Sequence, residues 1–135
     1  MRRAVVMLVA EPADKFANAK ASLDAADVGS RRGMSGSFEL WIGGYDNVRT
    51  RHHPWDKSEF RGAYTTCHVF KQPGWRIYGF KCHPAWAVRF ELCVLVHSAS
   101  KHEHETDEKI LRKVTAFSSR VDVIEAVQAL EESSI

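Results

Sequence analysis

Apolar and polar positions along the chain fall into blocks of two different periods. Residues 2 to 10 form a run rich in Val and Leu that stops at Glu11 and Pro12, the pattern of a buried strand. Pro12 suits the first turn of a helix, where its missing N–H is not needed. Phe16, Ala19, Leu23 and Ala26 then recur at spacings of three and four, predicting an amphipathic helix as far as Ala26. Gly29 to Gly33 reads as a break. Residues 34 to 45 fit two templates: Phe38, Leu40 and Ile42 alternate like a strand, whereas Phe38, Trp41, Ile42 and Tyr45 share a helix face. Residues 46 to 62 lack a regular period and read as an ordered loop.

The second half is plainer. Tyr64 to Phe70, Trp75 to Cys82 and Phe90 to Ser98 are runs of β-branched and aromatic residues, with Gln72-Pro73-Gly74 as turn chemistry between the first two. They predict an antiparallel meander in which Arg76, Tyr78 and Phe80 point to one face and Trp75, Ile77 and Gly79 to the other. Thr106 is a plausible N-cap, with Asp107 and Glu108 in the favourable first turn of a helix whose stripe is Ile110, Leu111, Val114 and Phe117. A last helix is expected from Asp122 to Glu131, capped by Ser119, with Val123, Ile124, Val127 and Leu130 inward. The whole, residues 1 to 135, reads as a single α+β domain.

Composition narrows the classes. A chain of 135 residues, 44% apolar and 27% charged, has the balance of an ordinary soluble globular protein. The absence of an 18-residue apolar run argues against a membrane-spanning helix and a membrane partner. Arg2 and Arg3 before a short apolar stretch resemble a secretory leader, but Glu11, Pro12, Asp14 and Lys15 follow at once, which favours a first strand. Three cysteines without a C-x-x-C pair announce neither a disulfide framework nor a zinc ribbon, and a reducing cytoplasm is the easier fit.

Charge is unevenly spread. Residues 49 to 101 carry nine Lys or Arg against three acids, a balance of +6, while the remainder balances at −4. A basic middle between more acidic ends is either a footprint for a polyanion or a solvated face of scattered charges. Arg76, in the centre of the meander, either meets a carboxylate or faces an open groove ready for phosphate, because an arginine is costly to bury unpaired.

Two histidines in Lys101-His-Glu-His-Glu105 could bind zinc only with a distant third ligand such as His97 or Cys67, so metal is not expected. As acid and base the pair makes better sense. Cleaving RNA without metal needs one group to take the 2′-hydroxyl proton and another to protonate the departing 5′ oxygen. A neighbouring Arg or Lys stabilises the extra charge on the phosphate. The plainer reading of this segment is a solvated loop before a helix. The Cys67-His68 and Cys82-His83 pairs face opposite ways in an extended strand, so the cysteines read as small buried hydrophobes. His52-His53 reads first as a loop feature able to touch a nucleic-acid backbone.

Three local sequences in this order, Trp55-Asp-Lys-Ser-Glu-Phe-Arg-Gly62, Trp75-Arg-Ile-Tyr-Gly-Phe80 and the stretch from Phe90 through Lys101-His-Glu-His104, resemble the RelE/HigB toxin superfamily, in its phage-derived HigB-like branch. The resemblance covers residues 55 to 115. It implies a RelE-like α+β fold, a small, mostly antiparallel twisted sheet with two N-terminal helices and C-terminal helices, and so favours a helix over residues 34 to 45. It also implies a ribosome-dependent mRNA endoribonuclease without cofactor or metal, restrained by a cognate antitoxin. By position Arg76 matches the strand arginine set against the scissile phosphate. Lys101, His102 and His104 fall at the catalytic turn, with His102 as general acid or base and His104 its competitor. Arg61, Lys71 and Lys81 would hold backbone phosphates. Glu103 and Glu105 depart from the usual lysine-rich turn, and the insertion from Cys82 to Arg89 lengthens one hairpin. The alternative is a catalytically silent RelE-like module that uses the same groove to hold RNA or a protein.

Overall fold

The computed structural model describes residues 2–8, 15–84, 90–100 and 108–130. Its chain order is β1 (Arg2–Met7), α1 (Ala19–Ala25), α2 (Val28–Ile42), β2 (His52–Pro54), a short turn at Glu59–Gly62, β3 (Cys67–Gln72), β4 (Trp75–Cys82), β5 (Phe90–Ser100), α3 (Glu108–Ser119) and α4 (Val121–Ala129). The five strands form one mixed sheet in the order β1-β5-β4-β3-β2, and only β1 against β5 runs parallel. This small α+β architecture buries one helix pair on each side of the sheet.

Each face has its own apolar layer. Ala19, Met34, Phe38 and Trp41 of α1 and α2 pack on Phe70, Ile77, Cys93 and Leu95. Ile110, Leu111, Val114, Phe117, Val123 and Val127 of α3 and α4 pack on Cys67, Phe80, Leu92 and Val94 from the other side. The two-residue pleat of β4 is as its sequence predicts, with Ile77 in the first layer and Tyr78 and Phe80 in the second.

Several boundaries differ from the sequence reading, each for a physical reason. The break expected at Gly29 to Gly33 lies inside α2, which Asp27 caps by accepting from the Ser30 N–H at 2.8 Å. These small residues let the helix lie close to β3. A Cβ at Gly33 would run into the Gln72 amide, and Ser37 donates its hydroxyl to the Lys71 carbonyl at 2.9 Å. The guanidinium of Arg51 fastens the same seam, with Nε donating to Ser37 Oγ at 3.0 Å and a terminal nitrogen to the Gly33 carbonyl at 2.9 Å. Helix rather than strand over residues 34 to 42 follows from the buried face Met34, Phe38 and Trp41.

At the first helix, residues 15–18 are not helical and α1 begins at Ala19. Phe16 instead lies on the other face, its ring stacked 3.9 Å from His97, and the Asn18 side chain accepts from the Ser98 N–H at 2.7 Å, beyond the end of β1. The ordered loop contains a three-residue strand, β2, too short to show a period. Ser119 does not cap α4: Arg120 holds that position, and its guanidinium pairs with Asp122 at 2.6 Å and lies 4.7 Å over Phe117. Ile124, expected inward, is 45% exposed. The proposed cap Thr106 with Asp107 lies outside the described residues.

Candidate functional site

The site is built where the helices stop covering the sheet. On the face that carries α3 and α4, Lys71 of β3 stands directly opposite Arg76 of β4, and Arg76 stands opposite Ala99 of β5. Both cations are half-buried. Like charges directly opposed across an antiparallel pair repel, the more so where water is thinned. Among the described residues neither makes an ion pair, so no carboxylate there relieves the repulsion. Lys71 is held below the ordinary lysine range by burial first, then by Arg76 and Arg49.

The floor beside the pair is aromatic. Tyr78 is buried and stacks with Trp55 at 6.2 Å and 25°. His53 of β2, paired with Val69, lies edge-on to Trp55 at 5.2 Å. Its Nδ1 is 2.8 Å from the Pro54 carbonyl oxygen. Burial pushes the His53 imidazole below its ordinary value, and the charges of Lys71 and Arg76 push the same way against the Pro54 contact and Glu59. Two cations, a neutral imidazole and apolar ring surface thus share one partly open face, a combination suited to a phosphodiester with an attached base.

The expected site residues divide. Arg76 and Lys71 come together. Lys81 does not: its register partner is Cys93, and both belong to the face covered by α1 and α2, so the pleat separates it from Arg76 and it cannot line the same phosphate track. Arg61 is exposed in the Glu59–Gly62 turn, where Phe60 and Arg61 both have left-handed backbones, and no hydrogen bond or ion pair ties it to the Lys71–Arg76 pair among the described residues. Lys101, His102 and His104 lie outside the described residues, as does the lengthened hairpin between Pro84 and Phe90. Ser100, the residue before Lys101, is opposite Trp75, next to Arg76 in β4.

The remaining chemistry is structural. His97 donates its Nδ1–H to the Phe16 carbonyl at 2.6 Å and stacks on the Phe16 ring, which fixes its orientation against the segment before α1. Cys67 and Cys93 are free and buried, and Cys82 is half-buried; burial raises all three thiols, that of Cys82 to about 11. Neither their exposure nor their ionisation suits a nucleophile.

Sequence reasoning missed one buried feature. His52 and His68, both fully buried, meet at 2.9 Å between Nδ1 and Nε2, and the outer nitrogen of each has no hydrogen-bond partner among the described residues. Burial, aided by Arg3 for His52 and by Lys81 for His68, drives their values to about 4 and about 2. The pair is neutral and lies on the opposite face from His53. No protein-family model matches the chain, and searches of curated proteins and of solved structures return no match.

Proposed function

We propose that the Lys71–Arg76 face binds the backbone of RNA and that the protein is a metal-free endoribonuclease of the RelE/HigB type, cutting mRNA on the ribosome and restrained by an antitoxin. The observation that carries this reading is the opposed cation pair. Two positive charges placed face to face, half-buried and without a carboxylate partner among the described residues, repel each other and become favourable once a phosphate lies between them. The resemblance of residues 55 to 115 adds the reaction. Arg76 steadies the charge that grows on phosphorus, Lys71 holds an adjoining phosphate, and Lys101, His102 and His104, which the resemblance assigns to the catalytic turn, follow Ser100 in the sequence.

Induced expression in a bacterial host tests the activity: slowed growth with cut mRNA is expected, and intact mRNA with normally folded protein would count against it. Arg76→Ala should lower cleavage more than tenfold, because one transition-state contact to a phosphoryl oxygen is worth roughly 10²-fold or more. Lys71→Met should weaken RNA binding and reduce its salt slope by about 0.7, the share of one single-strand phosphate contact. The same variant should leave the fold as stable as before or slightly more so, since it relieves the repulsion from Arg76. A clear loss of stability would mean that Lys71 serves the fold instead. RNA held with a steep salt dependence but never cut would select the silent-module reading.

A further inference from the structure

We propose that His53, through its Nε2 atom, is the general base that removes the 2′-hydroxyl proton. This assignment rests on the nuclease reading above.

The tautomer follows from one contact. Nδ1 sits 2.8 Å from the Pro54 carbonyl oxygen, and a carbonyl only accepts, so the ring proton resides on Nδ1. Nε2 therefore carries the lone pair, the form a base must have before the reaction. The ring is held by three constraints: the Pro54 contact, the edge-on packing against Trp55 at 5.2 Å, and the pairing of its backbone with Val69. Holding the ring in one orientation turns proton removal into a positioned step.

The surroundings keep the ring neutral without hiding it. His53 is half-buried, unlike its neighbour His52, which is sealed beneath α2. Of the charged groups that act on His53, Lys71 of β3 and Arg76 of β4 oppose protonation, while Glu59 of the following turn favours it. The same two cations would attract the phosphodiester. His53 and Arg76 lie on the same face of the sheet, on the two strands that flank β3, so a phosphodiester lying across β3 could meet both the base and the cation.

The step balances without metal or redox partner. Nε2 takes the 2′-hydroxyl proton as the 2′ oxygen bonds to phosphorus. The bond from phosphorus to the 5′ oxygen breaks, and that oxygen takes a proton from water. The products are a 2′,3′-cyclic phosphate and a 5′-hydroxyl, with His53 left protonated and returning its proton to solvent.

The test uses the full chain with mRNA on bacterial ribosomes, and an oligonucleotide carrying a 2′-deoxy sugar at the mapped cut site as the uncleavable binding probe. His53→Gln should lower the cleavage rate at least about 100-fold, the low end for loss of a general base, while binding the deoxy probe within about twofold of wild type. Arg76→Ala should lose both. For wild type, the rate should fall below pH 6.5 with an acid limb of unit slope, and that limb should vanish from the residual activity of His53→Gln. Full cleavage by a folded His53→Gln, or an acid limb unchanged in it, overturns the base assignment and leaves the nuclease reading standing. Wild type that binds but does not cut overturns both. Should His53→Gln fail to fold, His53→Asn is read in its place, and full cleavage by that folded variant overturns the proposal.

Discussion

Lowering the pH from 7 to 4.5 should remove about 5 kcal/mol of folding stability, an appreciable part of the ~5–15 kcal/mol that a domain of this size possesses. The cause is the His52–His68 pair. In the unfolded chain both imidazoles titrate near 6.5, whereas in the fold they are held at about 4 and about 2, chiefly by burial and then by the neighbouring cations. Arg3 of β1, Arg51 just before β2, His53 of β2 and Lys81 of β4 all act against protonation, and Asp46 acts weakly for it. Because both folded values are depressed, the contribution is complete above the unfolded value and is lost as the pH falls from about 6.5 toward 4 for His52 and onward toward 2 for His68. The slope in that window should approach about 2.7 kcal/mol per pH unit, twice the value for one proton. Denaturant unfolding at pH 7, 6, 5 and 4.5 measures it directly.

Four carboxylates contribute to the pH dependence only below this window. Asp27, Asp46, Asp56 and Asp122 are shifted below the ordinary range by their hydrogen bonds to Ser30, Arg3, Ser58 and Arg120, so their contributions fade only at lower pH. Replacing both histidines with phenylalanine should flatten most of the slope. In either tautomeric arrangement the pair leaves one buried N–H without an acceptor, and two rings of similar shape remove that cost. A double variant that keeps the steep slope would show that other groups cause it.

How far the sequence foretold these sites depends on the range of the contacts. β4 was legible at both ends, because an eight-residue run bounded by Gly74 needs no information from elsewhere, and α3 was legible because its stripe is strictly helical. The start of α2 was not. Glycine at residues 29 and 33 signals a break when only local propensity is weighed, and its value as a small surface against Gln72 appears only when β3 is in place. β2 escaped for lack of length, and with it the meaning of His52-His53. Adjacent in sequence, the two rings serve opposite faces: His52 seals the α2 layer and His53 joins the cations. The separation of Lys81 from Arg76 was implicit in the pleat, since the two positions are an odd number of residues apart, and charge grouping obscured it. The Lys71–Arg76 juxtaposition needed the register of the Gln72-Pro73-Gly74 hairpin, where Lys71 and Arg76 are the second pair from the turn.

Gly79→Ala should destabilise the protein by about 3 kcal/mol, the upper end of the cost of forcing one carbon into a filled interior. Gly79 lies at the irregularity between β4 and β5, where Tyr78 pairs with His97 but Gly79 pairs with Leu95, leaving Val96 as the extra residue. A Cβ there would stand 2.5 Å from the Val94 carbonyl oxygen, 3.1 Å from its carbon and 3.2 Å from Cys93 Sγ. Two of these three atoms are backbone in β5, an interior strand paired on both sides, so relief requires moving the ladder rather than a side chain. Gly74→Ala is the comparison. That glycine has φ +80° but nothing within 4 Å of an added Cβ, so the cost is the left-handed backbone alone, about 1–2 kcal/mol. In thermal unfolding the Gly79 variant should melt roughly 10 °C below wild type, on the scale of about 3–5 °C per kcal/mol for this length. A loss no greater than that of Gly74→Ala would show that the sheet yields at this point. The functional consequence runs through register: the bulge sets β5 so that Ala99 faces Arg76 and Ser100 faces Trp75. Folded Gly79→Ala protein should therefore bind RNA less tightly than folded Gly74→Ala protein, because the site depends on where β5 ends.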